Sequence, residues 1–295
     1  MIEVPVTFSE WIVRSRGEAG AVWLEQLSDQ FERLLASWDL EPDGEPRHGG
    51  KALALPVRSL ASPAVLKVTW VNDLTREEGA VLRYWDGRGV VRLLQSDIAE
   101  GALLLERLDP DRTMTGLPND EAARVAGLLI RLTAIPALPA LTTVASAIDQ
   151  IRAMLETHWA RLGRPYPRRE LDRVLALTDE LQGSSELRMV NWDLWDGNVL
   201  GSTRPEGGWL AIDPWALAGD PESGVAQMLW RRVDGMNDRA DLERFIAIVS
   251  ETAGLDHSLV KAWSYVRVAD YWLWALDHGL TEDPVRCRRL LAWLI

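Results

Sequence analysis

Ala64-Val65-Leu66-Lys67-Val68-Thr69-Trp70 is the stretch on which the fold turns. It is a short apolar run of strand length, with a cation at its centre. A lysine inside such a run is costly to bury unless a partner holds its charge. That partner is either an anionic ligand or a carboxylate. Glu78 stands one loop later on a segment of helical pattern, with Glu77 beside it. The lysine also stands out by usage: of 32 basic residues only Lys51, Lys67 and Lys261 are lysine. The plain alternative is a lysine on the solvent face of an edge strand, because alternation turns every second residue outward.

Outward from this strand the texture is mixed. Before it, Arg47 to Lys51 reads as a tight turn and Ala52 to Val57 as a partner strand. A helix is expected over Ala19 to Trp38, where Leu24, Leu27, Phe31, Leu34, Leu35 and Trp38 recur at three- and four-residue steps. After it come a helix over Thr75 to Tyr84, then strands over Val90 to Leu94 and Ala102 to Leu105. From Asp120 the pattern is helical over Asp120–Leu132, Thr142–Arg161, Arg168–Leu181, Gly224–Trp230, Asp238–Thr252, Ser258–His278 and Pro284–Leu294. A β-like insert between Leu187 and Ile212 interrupts it. The expected layout is an α+β chain in two lobes. Residues 1–108 form a small lobe with an antiparallel sheet and end in an apolar connector, and residues 109–295 form a larger helical lobe.

Two further segments carry chemistry. Asn191-Trp192-Asp193-Leu194-Trp195-Asp196-Gly197-Asn198-Val199-Leu200 places an asparagine five residues after an acid, and Leu210-Ala211-Ile212-Asp213-Pro214 adds a second acid after a short strand. Mg²⁺ prefers hard oxygen donors and keeps waters and phosphates in its shell, so one or two side chains suffice. Asp193 then suits proton acceptance from an attacking hydroxyl, with Asn198 and Asp213 as metal ligands. Each segment alone also reads as ordinary turn chemistry. Their order after the lysine strand and the connector is what weighs against that.

Together these stretches resemble the aminoglycoside phosphotransferases, a branch of the protein-kinase-like fold, and within them the streptomycin 6-phosphotransferase and hydroxyurea phosphotransferase group. The resemblance runs from about Pro46 to near the C-terminus. It includes Val65 to Val68, Glu78 through Tyr84 to Leu94, Ala102 to Leu108, Asp193 to Leu200, Trp209 to Pro214 and Gly219-Asp220-Pro221. It implies a bilobal fold and ATP with Mg²⁺ as cofactors. It implies that Lys67 binds the α- and β-phosphates and that Glu78 orients it. The connector, Leu104, Leu105, Glu106 and Arg107 up to Leu108, is implied to read adenine through its backbone. Asp193 is implied as the base, and Asn198 and Asp213 as magnesium ligands. The turn that covers the phosphates lies at His48 to Lys51 or at Ser59 to Pro63. One departure stands inside the loop. The family's His-Gly-Asp-Leu-His is here Asn191-Trp192-Asp193-Leu194-Trp195. Asn191 both donates and accepts and can take the histidine's place as a prop.

The expected reaction is transfer of the ATP γ-phosphate to a hydroxyl of a small molecule, a streptomycin-type antibiotic first. Such an acceptor is cationic and calls for acids; Asp220, Glu222 and Asp234 are the candidates, with Trp195 as a wall. The alternatives are a kinase of hydroxyurea, another antibiotic or a metabolite, and a nucleotide-binding scaffold without transfer. Composition narrows the rest. The chain of 295 residues carries 44 acids against 32 bases, a formal net charge of −12, which disfavours nucleic acid as partner. Cys287 is the single cysteine, so no internal disulfide forms. No run of about 18 apolar residues is present and no membrane partner is expected. Met1 to Pro5 has neither a basic nor an apolar leader region, so no secretory signal is expected and the location is taken as cytoplasmic. The protein is expected as a monomer or a dimer.

Overall fold

The computed structural model describes residues 2–59, 62–71, 73–181 and 186–294. The chain divides into two compact units. Unit 1 holds residues up to Gly87 together with Val91–Asp109, and unit 2 holds Arg88–Val90 and the chain from Pro110.

Unit 1 is a helix laid on an antiparallel sheet. Helix α1 (Val6–Ser37) starts after Pro5 and breaks at Gly17, whose φ of 61° and ψ of −143° interrupt the helical path. The apolar periodicity after Ala19 predicts only its second half. The first half is held by tertiary contacts: Phe8 and Ile12 are buried, and the Trp11 indole N–H donates to Gly50 O at 2.6 Å. The strands are β1 (Glu41–Pro42), β2 (Arg47–His48), β3 (Ala52–Arg58) and β4 (Pro63–Thr69), followed by helix α2 (Asp73–Trp85), β5 (Leu93–Asp97) and β6 (Ala102–Glu106). They order as β1-β3-β4-β6-β5, with β2 also on β3. The expected strand over Val90 to Leu94 begins only at Leu93. Gly87 and Gly89 take left-handed φ of 76° and 70°, and Val90 instead bridges to Ala211 in unit 2. The core lies between α1 and one sheet face, with Leu27, Phe31 and Leu34 against Leu53, Leu55, Val57, Ala64, Leu66 and Val68.

Unit 2 is built on helices. Strand β7 (Asp109–Thr113), all but its first residue in this unit, leads to α3 (Asn119–Thr133), α4 (Val144–Arg161) and α5 (Arg168–Glu180). Then follow β8 (Arg188–Asn191), β9 (Val199–Gly201), β10 (Trp209–Ala211) and β11 (Ala216–Gly219). The chain ends in α6 (Ala226–Arg232), α7 (Arg239–Ala253), α8 (His257–Asp277) and α9 (Asp283–Trp293). Local chemistry sets these helix ends. Asp238 caps α7 by accepting from Ala240 N and Asp241 N, and Gly254 closes it in the left-handed conformation. Helix α8 is apolar on most of its faces and is the spine against which α5, α6, α7 and α9 pack. Two small antiparallel sheets position the loops: β8 pairs with β11, and β9 lies between β10 and β7. Among the described residues no helix is long and apolar enough to cross a membrane.

Candidate active site

Strand alternation decides the place of Lys67. Ala64, Leu66 and Val68 point into the core under α1, so Lys67 emerges on the opposite sheet face. There its Nζ donates to Glu78 Oε1 at 2.6 Å, and the two side chains are 4% and 5% exposed. Glu77, the neighbour, is exposed. A fully buried ion pair repays its desolvation only with good geometry. The other members of the expected nucleotide set stand differently. Leu104 and Leu105 are laddered inside β6, between β4 and β5. Glu106 donates its N–H to Arg92 O at 3.0 Å, and its Oε1 accepts from Arg92 N at 2.6 Å. The Arg107 guanidinium ties strand ends together, donating to Ala64 O at 3.1 Å, to Asp43 Oδ2 at 2.7 Å and to Val57 O. Arg107 and then Arg58, through hydrogen bonds, hold the Asp43 carboxyl below the usual carboxylate range.

In unit 2 the ladder of β8 and β11 delivers the loop. Asn191 pairs with Ala216 at its end, and Trp192 N–H donates to Trp215 O at 2.7 Å. Asn191 Oδ1 accepts from Asp193 N–H at 3.2 Å, so this residue does brace the loop where a histidine was replaced. Asp193 is half-buried. Its Oδ1 accepts from Gln227 Nε2, and its Oδ2 accepts from Asn198 Nδ2 at 3.2 Å. Asn198 Nδ2 also reaches Asp193 O at 3.1 Å. A short 3₁₀ turn, Asp196–Asn198, then enters the β9–β10 hairpin. Val199 pairs with Ala211, and Ile212 N–H donates to Asn198 O at 2.8 Å. Asn198 and Asp213 are therefore neighbours at the open end of one hairpin. Asp213 is held at a φ of 49°, a left-handed conformation that a side chain disfavours. Asn198, whose Nδ2 is turned to Asp193, and Asp213 each carry a hard oxygen donor, an amide oxygen and a carboxylate. This pair fits Mg²⁺, which takes few protein ligands when phosphates supply the rest. Among the described residues no group of three or more His, Cys, Asp or Glu forms a self-contained metal cage.

The loop is also held by arginines that the sequence reading missed. Arg267 of α8 is buried; its guanidinium lies 4.2 Å over the Trp192 ring and donates to Trp192 O at 3.1 Å and to Ser223 O at 2.9 Å. Burial pulls its pKa down to about 9, so it remains a cation at neutral pH. Its signal was present: Val266-Arg267-Val268 sets a cation in an apolar run, as Lys67 is set. Arg232 meets Asp196 in a second buried pair at 3.0 Å and also donates to Leu117 O at 2.7 Å. Arg231 lies 4.7 Å over the Trp195 ring. That ring fills the place a Gly197 side chain would take, since a Cβ there would come within 2.3 Å of it.

The acids expected to receive a cationic acceptor are not brought to this loop. Strand β11 runs away from it: Ala216 faces Asn191, but Gly219 faces Arg188 at the far end. Asp220 and Glu222 are thereby carried to a separate cavity of about 620 Å³, lined also by Arg131, Glu180 and Arg188. Glu222 Oε1 accepts from Asp256 N there at 3.2 Å. Asp234 is exposed and paired with Arg286 at 2.6 Å and Arg289 at 3.5 Å. Spacing along the chain could not reveal this, because the direction of β11 is a pairing outcome.

A small antiparallel-sheet unit followed by a larger helical one, with the loop and hairpin just described, defines the protein-kinase-like fold. A solved aminoglycoside phosphotransferase, APH(4)-Ia in ternary complex with ADP and hygromycin B, shares it, with a TM-score of 0.61 at 18% identity, covering 89% of this chain and 97% of that one. Within the fold, the sequence pattern of the aminoglycoside/hydroxyurea antibiotic resistance kinases matches residues 37–279, and the chain belongs to that family. It is 36% identical over 292 residues to a streptomycin 6-kinase of Streptomyces glaucescens, covering 96% of this chain and 94% of that protein. It is likewise 36% identical over 291 residues to a hydroxyurea phosphotransferase of Kitasatospora aureofaciens, covering 97% and 84%.

Proposed function

We propose that the protein transfers the γ-phosphoryl group of ATP to a hydroxyl of a small molecule, with a streptomycin-type aminoglycoside as the leading acceptor. The observation that carries this reading is the clustering of Asp193, Asn198 and Asp213 by one loop and one hairpin, in a chain similar over nearly its whole length to a streptomycin 6-kinase. Asp193 accepts the hydroxyl proton and aligns the attacking oxygen. Asn198 and Asp213 are the groups that would hold Mg²⁺, which when bound neutralises charge on the phosphates. Lys67, fixed by Glu78, binds the α- and β-phosphates.

The turn that covers the phosphates is assigned to His48–Lys51. Lys67 pairs with Ala54, close to the start of β3 where that turn lies, whereas Pro63 pairs with Arg58 at the other end. Ser59 and Ser62 there close on each other, Ser59 N–H donating to Ser62 O at 3.1 Å and Ser62 N–H to Ser59 Oγ at 3.3 Å; Leu60 and Ala61 lie outside the described residues. The adenine contact is assigned to the backbone at the end of β6, from Glu106 to Leu108, because Leu104 and Leu105 are laddered on both sides.

One observation favours a second acceptor class. Arg231 sets a guanidinium on Trp195, beside the base, while Asp220, Glu222 and Asp234 are engaged elsewhere. A flatter, less charged acceptor such as hydroxyurea suits such a surface. Incubation with Mg-ATP and streptomycin, other aminoglycosides or hydroxyurea, read by mass spectrometry, tests both. A mass increase of one phosphoryl group on streptomycin is expected. Nucleotide binding without transfer to any acceptor would instead mark a scaffold.

A further inference from the structure

Helix α6 hands one side chain to each of three loop residues. Gln227 donates to the Asp193 carboxylate, Arg231 covers Trp195 and Arg232 pairs with Asp196. The chemistry of the three is not interchangeable. Of the three α6 side chains, the two cations go to the ring and to the acid outside the proposed reaction, while the proposed base receives a neutral amide; the field of Arg267 on α8 reaches it as well. An arginine on Asp193 would form an ion pair and stabilise the carboxylate against taking a proton. An amide fixes its orientation and leaves more of its basicity.

The helix itself is a firm support. Ala226, Met228, Leu229 and Trp230 are buried around Gln227, and Arg232 is pinned by Asp196 and by the carbonyls of Met114 and Leu117. Gln227 and Arg231 are four residues apart, hence on one helix face, and that face meets the loop. On the other side of the carboxylate, Asn198 Nδ2 holds Oδ2. Each oxygen thus accepts from a different amide, and the plane of the carboxylate is set between α6 and the 3₁₀ turn.

From this geometry we infer that Gln227 is a positioning residue for phosphoryl transfer, acting through Asp193 and not on the nucleotide. The inference rests on the reading of Asp193 as the base. A misplaced base costs rate and not nucleotide affinity, and misplacement by about 1 Å can cost up to roughly 10²-fold.

The test replaces Gln227 by Leu, which removes the donor, and by Glu, which keeps the size but cannot donate when ionised. Both are expected to lower kcat by about 10- to 100-fold with KM for ATP within about twofold, while Gln227→His, which keeps an N–H, recovers part of the loss. The same change made in an Asp193→Ala chain should cost no further rate and should lower the melting temperature less than it does in the parent. A Gln227→Leu protein with the parent's kcat, or one whose losses are equal with and without Asp193, overturns the inference. If the unaltered chain phosphorylates no acceptor, the functional reading fails by itself; the thermal cycle between Gln227 and Asp193 is then read alone, and equal shifts in both backgrounds again overturn the contact.

Discussion

The Lys67 pair of unit 1 and the Asp193 loop of unit 2 hold their charges in different ways. Lys67 meets Glu78 directly, cation to carboxylate, at 2.6 Å and out of water. Asp193, half-buried, accepts from two amides; Arg232 is spent on Asp196 and Arg231 on Trp195, while Arg267 donates to loop carbonyls and adds its field to the Asp193 carboxylate. The difference matches the roles proposed for the two groups. A group that only binds gains from a fixed counter-charge, which fixes both its ionisation and its place. A group that must take a proton is weakened by one.

The largest expected effect breaks the loop side of this comparison. Asp193→Ala should lower single-turnover phosphoryl transfer at saturating Mg-ATP by roughly 10²–10⁴-fold, with little change in ATP affinity. Transfer as fast as in the parent would sink the mechanism at its centre. Next comes the structural pair in the same loop. Asp196→Ala leaves the buried Arg232 with carbonyl acceptors but no counter-charge, which should cost about 3–5 kcal/mol. In a calorimeter that is a drop in Tm on the order of 10 °C, and an unchanged Tm would mean that the pair does not hold the loop.

On the unit 1 side, Glu78→Gln keeps the shape and removes the charge. KM for ATP should rise about tenfold as Lys67 loses its orientation, whereas Glu77→Gln should leave it unchanged. Equal effects of the two would erase the distinction that burial draws between them. The smallest effect sharpens the comparison by pH. Asp270, half-buried by surface area but densely surrounded beside Arg267, has its pKa raised from 3.8 to about 6, chiefly by burial. Its neutral form is favoured in the folded state, so the folded protein binds more protons than the unfolded one between pH 4 and 6. Stability should therefore fall as pH rises through that window. Asp270→Asn should flatten that fall, measured as Tm against pH, and a slope that stays the same would assign the proton to another group.

Much of the fold is legible in the chain. Helical periodicity places α3 to α9 within a few residues, because an amphipathic stripe records which face will be buried. The first half of α1 is not legible, since Trp11 and Val13 are exposed and what fixes it is a hydrogen bond to Gly50, 39 residues away. Strand β11 is short and lies in a run of small residues without alternation, so nothing local marks it. For the candidate site, the proposed members that sit in sequence order, Lys67, Asp193, Asn198 and Asp213, are the ones that spacing points to. Gln227 and Arg232 are not, since a polar residue on a short helix looks like surface until a loop 34 or 36 residues earlier is packed against it.

The chain by itself determined the two-part layout, the lone strand lysine and the order of acid, asparagine and acid that follows it. These are local quantities: apolar period, turn residues and short spacings depend only on neighbours in sequence. Tertiary structure alone decided that Glu78 and not Glu77 meets Lys67, that Asp220 and Glu222 lie at the far end of their ladder, and that Asp193 is held by an amide while Asp196 takes the arginine. Those choices depend on strand register, strand direction and helix facing, and each is settled only when segments distant along the chain compete for the same buried space.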